Sequence, residues 1–155
     1  KKLILPSTLS SVTIGDRKNN IEAIEIDGDN DVFYVEDGVL FKDNTLVWYP
    51  IEKTSTSYTV PDDVKSIGDY AFYGINRLER VVLPEGLTTI GTRAFSYDNR
   101  LNECNIPSSL TSIGDYAFSD EYWENYACQL VFDNNILTLP EGLKSTSHTS
   151  SQILG

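Results

Sequence analysis

Apolar and polar positions recur at a fixed interval through the middle of the chain. The segment SIGDYAF occupies residues 66–72 and again residues 112–118, and TIGTRAF occupies residues 89–95 between them. The isoleucines are separated by 90 − 67 = 23 and 113 − 90 = 23 residues. A constant period of this length predicts a solenoid of stacked repeats.

Each repeat begins with a short alternating segment that ends at a proline. In LERVVLP (78–84), Val81 and Leu83 alternate with Arg80 and Val82, which predicts a short strand with one buried face. The proline has no amide hydrogen, so the strand should end there. We expect the glycine after each isoleucine to supply a tight turn. The Ala-Phe pair should follow on a short helical or 3-10 turn on the convex side.

The same frame extends less regularly in both directions. Regular repeats cover 58–126, irregular repeats cover 1–27, and irregular strands with a polar tail cover 127–155. Within the insertion at 28–57, two apolar runs flank KDNT, which is a β-hairpin signal. A single repeat cannot offset the entropy of ordering its own backbone, so stacking is obligatory. We therefore expect one domain over 1–155, with about five to six short parallel strands and one inserted hairpin.

Outward strand residues of successive repeats should share one concave sheet, and repeat proteins commonly bind partners on such a surface. Arg80 is the strongest single anchor, because its guanidinium offers several donors in an acidic chain. A solvated sheet face is the alternative interpretation. The predicted surface consists of Ser57, Thr59, Arg80, Val82, Glu103, Asn105, Gln129 and Val131.

A second candidate binding site lies in the lengthened turn SDEYWENY, residues 119–126. Its Tyr122 and Trp123 could stack on a sugar or anchor a protein, since exposed aromatic residues are typical interface hot spots. The interpretation that we favour is structural: the two rings cover the side of the last full layer, because aromatic rings are often buried in solenoids.

Charge and composition exclude several classes of function. The net charge of −11 argues against binding a nucleic acid, which requires a basic face. No apolar run reaches membrane-spanning length, so we expect no membrane insertion. The chain starts at Lys1 and contains no Met, so we expect it to come from a longer precursor. The lack of an export signal is then weak evidence about location.

Candidate catalytic and metal sites are few. His148 is the only histidine and lies in the polar tail, where it forms no Ser-His-Asp, Cys-His or zinc arrangement. DGDND (27–31) spaces three carboxylates like a calcium loop, but Val32 and Gly38 stand where that loop needs Gly and Glu. We expect no metal, no cofactor and no enzymatic activity.

The two cysteines are predicted to be buried thiols. Cys104 and Cys128 fall on inward positions of neighbouring strands. As diagonal partners their Cα atoms would lie about 7–8 Å apart, which exceeds the usual reach of a disulfide. Whether the two are bonded stays open.

The combination of hairpin and repeats resembles the BspA-like, or Treponema-type, leucine-rich repeat proteins of bacterial surfaces. The resemblance rests on DGVLF and LVWYP, followed by Y-x-VP-x-x-V-x-x-IG-x-x-AF, and it extends from about Leu3 to Leu143. That family often has Cys three residues after the Phe, whereas Ile75, Asp98 and Glu121 stand there in this chain. This difference puts any cysteine-based feature in doubt and leaves the fold unaffected.

The resemblance implies a curved leucine-rich repeat solenoid, α/β to mainly β, at the cell surface or secreted, that binds other proteins. Adhesion to extracellular host or matrix proteins is an activity of some members. A structural spacer that displays another domain of a larger exported protein is the alternative, and a glycan-binding module is a third. The sequence identifies neither the ligand nor the oligomeric state.

Overall fold

The computed structural model describes residues 1–15, 20–98, 100–118 and 144–145, which contain twelve β-strands and no helix. In chain order the strands are β1 (Lys2–Pro6), β2 (Ala23–Asp27), β3 (Tyr34–Glu36), β4 (Val39–Lys42), β5 (Thr45–Trp48), β6 (Ser57–Thr59), β7 (Ser66–Ile67), β8 (Arg80–Val82), β9 (Thr89–Ile90), β10 (Glu103–Cys104), β11 (Ser112–Ile113) and β12 (Lys144–Ser145). Within the described residues, no helix has the length and apolar character needed to span a membrane.

Parallel pairing between successive coils builds the three-stranded sheet and the part of the seven-stranded sheet from β5 to β12. A three-stranded sheet has the order β10-β8-β6, and a seven-stranded sheet has the order β12-β11-β9-β7-β5-β4-β3. In the first sheet Ser57, Arg80 and Glu103 stand side by side. At the N-terminus β1 and β2 form a separate parallel pair. The predicted solenoid and its 23-residue register are confirmed.

A proline opens the tight turn between the first and second strands of a coil. The amide of Leu87 donates to the carbonyl of Pro84 at 3.0 Å, which closes a four-residue turn and directs the buried leucine inward. The same bond recurs from Leu9 to Pro6, from Val64 to Pro61 and from Leu110 to Pro107. The irregular N-terminal coil therefore shares the corner geometry of the regular ones.

The Ala-Phe segments form turns that are bonded to the neighbouring coil, in place of the expected helical or 3-10 turns. The amide of Phe72 donates to the carbonyl of Ala94, one coil further on, at 2.8 Å. The residue two positions before each Phe has a left-handed backbone conformation. Alternate amides of the turn then bond to the next coil, whereas the amides of Ala71 and Tyr73 bond within their own coil. The left-handed residues are Tyr70 (φ 58°), Arg93 (φ 52°) and Tyr116 (φ 55°).

The glycine after the isoleucine precedes a turn, as expected: the amide of Ala71 donates to the carbonyl of Gly68 at 3.3 Å. At Gly91 and Gly114 the glycine is also required by the close approach of two coils. A Cβ atom on Gly91 would lie 2.6 Å from the amide nitrogen of Asp69 and 2.7 Å from the carbonyl carbon of Gly68. Gly91 does not have a positive φ. Any side chain at this position would therefore force the two coils apart.

The predicted hairpin is present and belongs to the solenoid. Strands β4 and β5 pair antiparallel around Asp43, and β3 adds an unpredicted third strand on the other side of β4. Strand β5 pairs in parallel with β7. The hairpin thus supplies the first coil of the seven-stranded sheet.

Strand β4 separates two hydrophobic clusters. Val39 and Phe41 belong to the main cluster, which extends to Phe118, whereas Leu40 belongs to a smaller N-terminal cluster. These three β4 side chains are fully buried, whereas that of Lys42 at the end of β4 is exposed. Because β4 is buried on both faces, it packs against the N-terminal cluster on one face and against the main cluster on the other.

A ladder of stacked aromatic rings passes through the main cluster. Phe72 stacks on Phe95 with the ring centroids 4.8 Å apart, and Phe95 stacks on Phe118 at 5.2 Å. Tyr49 of the hairpin extends the ladder, because it stacks on Phe72 at 5.1 Å. Burial raises the pKa of Tyr49, and that of the neighbouring Tyr58, above the usual tyrosine value.

The C-terminal expectations fall largely outside the described residues. The strand predicted within 137–145 is represented by β12, which pairs in parallel with β11. The strand predicted within 127–133 lies outside the described residues.

Candidate functional site

The solvent side of the three-stranded sheet brings together the predicted binding residues that the structure describes. Arg80 lies between Ser57 and Glu103 in the sheet register, and Thr59 pairs with Val82. The β6-β8-β10 face is defined as Ser57, Thr59, Arg80, Val82, Glu103 and Asn105, and all six are exposed or half-buried. Gln129, Val131 and the alternative pair Tyr122 and Trp123 lie outside the described residues.

Arg80 and Glu103 form an ion pair across neighbouring strands. The Nε atom of Arg80 lies 3.3 Å from the Oε2 atom of Glu103, and their side chains are 61% and 53% exposed. Solvent screens an exposed pair of this kind, which typically contributes only about 0–1 kcal/mol to stability. The pair therefore contributes little to the stability of the sheet. The contact uses one of the guanidinium N–H donors, and the Nη atoms carry the others.

The side chain of Asn105 continues the sheet by one residue. Its Oδ1 atom accepts a hydrogen bond from the amide of Leu83 at 2.7 Å, and its Nδ2 atom donates to the carbonyl of Leu83 at 2.9 Å. The amide group thus replaces the backbone pairing that ends at Cys104. Asn105 has this structural role in addition to its predicted place on the binding surface.

Between β8 and β10 the face contains a half-open depression of about 140 Å³. Its lining residues are Arg80, Val81, Val82, Glu103, Cys104 and Asn105. Small-molecule sites usually measure about 300–1,000 Å³. The depression is therefore the size of one protruding side chain or a small chemical group.

Cys104 lies beneath this depression as a buried thiol. Its Sγ atom is 3.7 Å from the carbonyl oxygen of Asn105, and the residue is 1% exposed. Cys128 lies outside the described residues, so the expectation of two unbonded thiols stays a prediction. Burial makes Cys104 inert toward solvent reagents in the folded coil.

The acidic loop at 27–31 is organised by its asparagine. The Nδ2 atom of Asn30 donates to the carbonyls of Ser7 and Leu9 at 2.7 and 2.8 Å. Its Oδ1 atom accepts from the amides of Val32 and Phe33 at 2.8 and 2.7 Å. Within the described residues, no three His, Cys, Asp or Glu side chains are grouped to hold a metal ion. His148 lies outside those residues.

One group of side chains was missed by the sequence analysis. It is the turn-face tyrosine cluster, defined as Tyr70, Tyr73, Arg93, Tyr97 and Tyr116, and all five residues are half-buried. Aligning the outward turn positions of each repeat would have revealed it, because Tyr70 and Tyr116 occupy the position of Arg93 in their own repeats.

Comparison with known families agrees with this architecture. Residues 51–148 match the BspA type leucine rich repeat region in six copies. No curated protein sequence matches the chain.

Solved bacterial structures share the fold. A leucine-rich repeat protein from Eubacterium ventriosum is 34% identical, with a TM-score of 0.69, over 75% of this chain and 32% of that protein. The pneumococcal vaccine antigen PcpA is 20% identical, with a TM-score of 0.65, over 99% of this chain and 53% of that protein. A leucine rich cell surface protein from Faecalibacterium prausnitzii is 23% identical, with a TM-score of 0.53, over 64% of this chain and 33% of that protein.

The last two likenesses show the fold alone, and the chain spans between a third and about half of the length of these proteins. The 23-residue register, the parallel coils and the family match over 51–148 agree with one another. The chain belongs to the BspA-type leucine-rich repeat family.

Proposed function

We propose that this chain is a non-enzymatic binding module of a cell-surface or secreted bacterial protein, and that it recognises a protein partner through the β6-β8-β10 face. The observation that supports the proposal is the alignment of side chains from three successive coils on one face, with a depression between β8 and β10. Residues 1–155 act together as one domain in this proposal. Attachment to an extracellular host or matrix protein is the activity that we assign to it.

The chemistry of the face fits a protein partner. Val82 provides a half-buried apolar surface, and Arg80 and Glu103 place opposite charges beside it. Interfaces of this kind combine an apolar centre with arginine and a polar rim. The depression accepts one side chain, and the remaining Arg80 donors can bind a carboxylate of the partner. The net charge of −11 makes a nucleic acid an unfavourable partner.

The surface location rests on similarity. The Faecalibacterium prausnitzii structure is described as that of a cell surface protein, and its fold is shared by this chain. A structural spacer is the second candidate function, because the chain spans only 32% of the Eubacterium ventriosum protein. In that case the module would position another part of a larger exported protein.

A charge exchange tests the proposal without breaking the ion pair. The double variant Arg80→Glu with Glu103→Lys keeps opposite charges on neighbouring strands but reverses their positions, so the domain should unfold at the same denaturant concentration as the unmodified protein. Binding to purified extracellular-matrix proteins, measured by surface plasmon resonance, should be lost. Unchanged binding would refute the role of this face. No binding by the unmodified domain would favour the spacer.

A further inference from the structure

Strand β6 lies at the edge of the three-stranded sheet. The sheet order is β10-β8-β6, so β6 pairs with β8 alone among the described strands. The carbonyl of Thr56 and the amide of Val60 form hydrogen bonds of 3.2 and 2.9 Å with β8. Successive residues of a parallel strand direct their backbone groups to alternate sides of the strand. The N–H and C=O groups of Ser57 and Thr59 therefore point away from β8.

The inserted hairpin explains why this edge has no strand beside it. One period before Ser57 is residue 57 − 23 = 34, and Tyr34–Glu36 form β3, which pairs antiparallel with β4 in the other sheet. The segment that the repeat would place beside β6 is thus used elsewhere. Ser57 and Thr59 are exposed, and within the described residues no second strand pairs with their outward-pointing backbone groups.

The β6 edge also lacks the residues that commonly protect an exposed strand. Edge strands often carry lysine or proline, which discourage another chain from pairing with them. Strand β1, which pairs with β2 alone in the described part of the chain, contains both Lys2 and Pro6. Strand β6 consists of Ser57, Tyr58 and Thr59, and tyrosine and threonine favour strand formation. The β6 edge is therefore open to an added strand.

The charged side chains around β6 favour a basic segment. The cations of this region already form ion pairs with carboxylates, and they are Lys53, Arg77 and Arg80. Glu79, whose amide donates to the carbonyl of Thr56 at 2.7 Å, and Asp62, just beyond β6, are exposed. Neither of these two acids forms an ion pair within the described residues. The unbalanced charge beside β6 is therefore negative, which attracts a cationic partner.

We propose that the free edge of β6 is a second binding site, which takes an extended, lysine-bearing segment of a protein partner as a fourth strand of the sheet. Backbone hydrogen bonds to Ser57 and Thr59 hold the segment, and the nearby acids attract its lysines. This site uses the backbone edge of β6, whereas the β6-β8-β10 face uses outward side chains. The proposal therefore does not rest on the function assigned to that face.

The first test follows single amides by NMR while a short synthetic peptide, in which lysine alternates with threonine, is titrated into the whole domain. The signals of the Ser57 and Thr59 amides should shift, and their hydrogen exchange should slow. The amides of Tyr58 and Val60, which are directed toward β8, should change much less. This alternation is expected of an added strand, because only every second residue of β6 faces it.

The second test removes one backbone donor. Thr59→Pro deletes the outward-pointing N–H while keeping the bonds to β8, since proline is tolerated where the N–H of an edge strand faces solvent. It should weaken the peptide affinity at least about fivefold. Thr59→Val keeps the N–H and a β-branched side chain, so this matched control should bind as the unmodified domain does. Denaturant unfolding verifies that both variants fold.

The outcomes separate this edge from the proposed function. Arg80→Glu with Glu103→Lys leaves β6 and the net charge unchanged, so the peptide affinity should stay the same. The proposal is overturned if the amides of Ser57 and Thr59 respond no more than those of their neighbours, or if Thr59→Pro binds as tightly as Thr59→Val. Equal affinity for the same peptide with glutamate in place of lysine would refute the basic partner. If Thr59→Pro fails to fold, the amide pattern of the unmodified domain decides.

Discussion

At the level of single residues, contacts between neighbouring coils determine which side chains are tolerated. Asp98 stands where the family often carries Cys, and it is fully buried. Its Oδ1 atom accepts a hydrogen bond from the amide of Ile75, one repeat earlier, at 2.6 Å. A buried amide without an acceptor costs about 1–3 kcal/mol, so this carboxylate satisfies a need of the preceding coil. The sequence showed the substitution, but the partner amide becomes visible only when the coils are stacked.

The close approach at Gly91 gives a prediction with a matched control. Gly91→Ala should destabilise the domain by about 1–3 kcal/mol, because its Cβ would meet the backbone of the preceding coil. Gly68→Ala should cost less, since the nearest atom to its Cβ, the carbonyl oxygen of Leu46, lies at 3.2 Å. Replacing Gly68 by Ala also lowers the conformational entropy of the unfolded chain, which offsets part of that cost. Urea unfolding of both variants decides the matter, and equal losses would contradict the assigned contact.

At the level of elements, local pattern predicted the hairpin and the strands that precede each proline. It did not predict β3, the second strands β7, β9 and β11 of the coils, or how the elements connect. Alternation before each proline located β8 and β10, and KDNT located the turn between β4 and β5. The parallel pairing of β5 with β7 depends on a contact between segments 21 residues apart, where no repeat motif is present. The Ala-Phe turns were misread because local propensity contains no information about an acceptor in the next coil. The turn-face tyrosine cluster, in contrast, is visible in the sequence once the outward turn positions 70, 93 and 116 are aligned.

The aromatic ladder predicts unequal costs for two equally buried phenylalanines. Phe95 and Phe41 are both fully buried, and truncation of such a side chain typically costs about 3–5 kcal/mol. Phe95 stacks on two rings, whereas Phe41 stacks on Tyr34 at 5.2 Å. Since each aromatic pair adds about 0.5–1.5 kcal/mol, Phe95→Ala should lose more stability than Phe41→Ala. Guanidinium unfolding measures both, and a larger loss for Phe41→Ala would show that the ladder does not act as described.

At the level of the whole molecule, stability is distributed unevenly along the solenoid. The main cluster contains rings and aliphatic side chains that are almost completely buried. In the N-terminal cluster Leu3, Leu5, Leu9 and Val12 are only half-buried. In the described residues β1 pairs with β2 alone, and Ile4 is 63% exposed. The 23-residue period predicted that the coils stack, but not that the core divides into two hydrophobic clusters. The division results from the position of β4 between them.

Amide hydrogen exchange should reveal this gradient. The amides of β1 and β2 should exchange faster than those of β7 and β9, because local opening of the N-terminal coils exposes less apolar surface. Mass spectrometry of peptic fragments, or NMR, follows both regions in one sample. Equal protection would mean that the doubly buried strand β4 couples the two clusters into a single cooperative unit.

The spacing of the aromatic ladder gives the length that each coil contributes along the solenoid axis. Successive phenylalanine rings are 4.8 and 5.2 Å apart, so each coil adds about 5 Å to the length of the ladder. Fully extended, a 23-residue coil would span about 76–83 Å. A coil pulled out by tension would therefore lengthen the chain by about fifteen times its folded contribution. A module of this kind between a cell and its point of attachment would lengthen under tension. One coil would unfold at a time while the remaining coils stay paired.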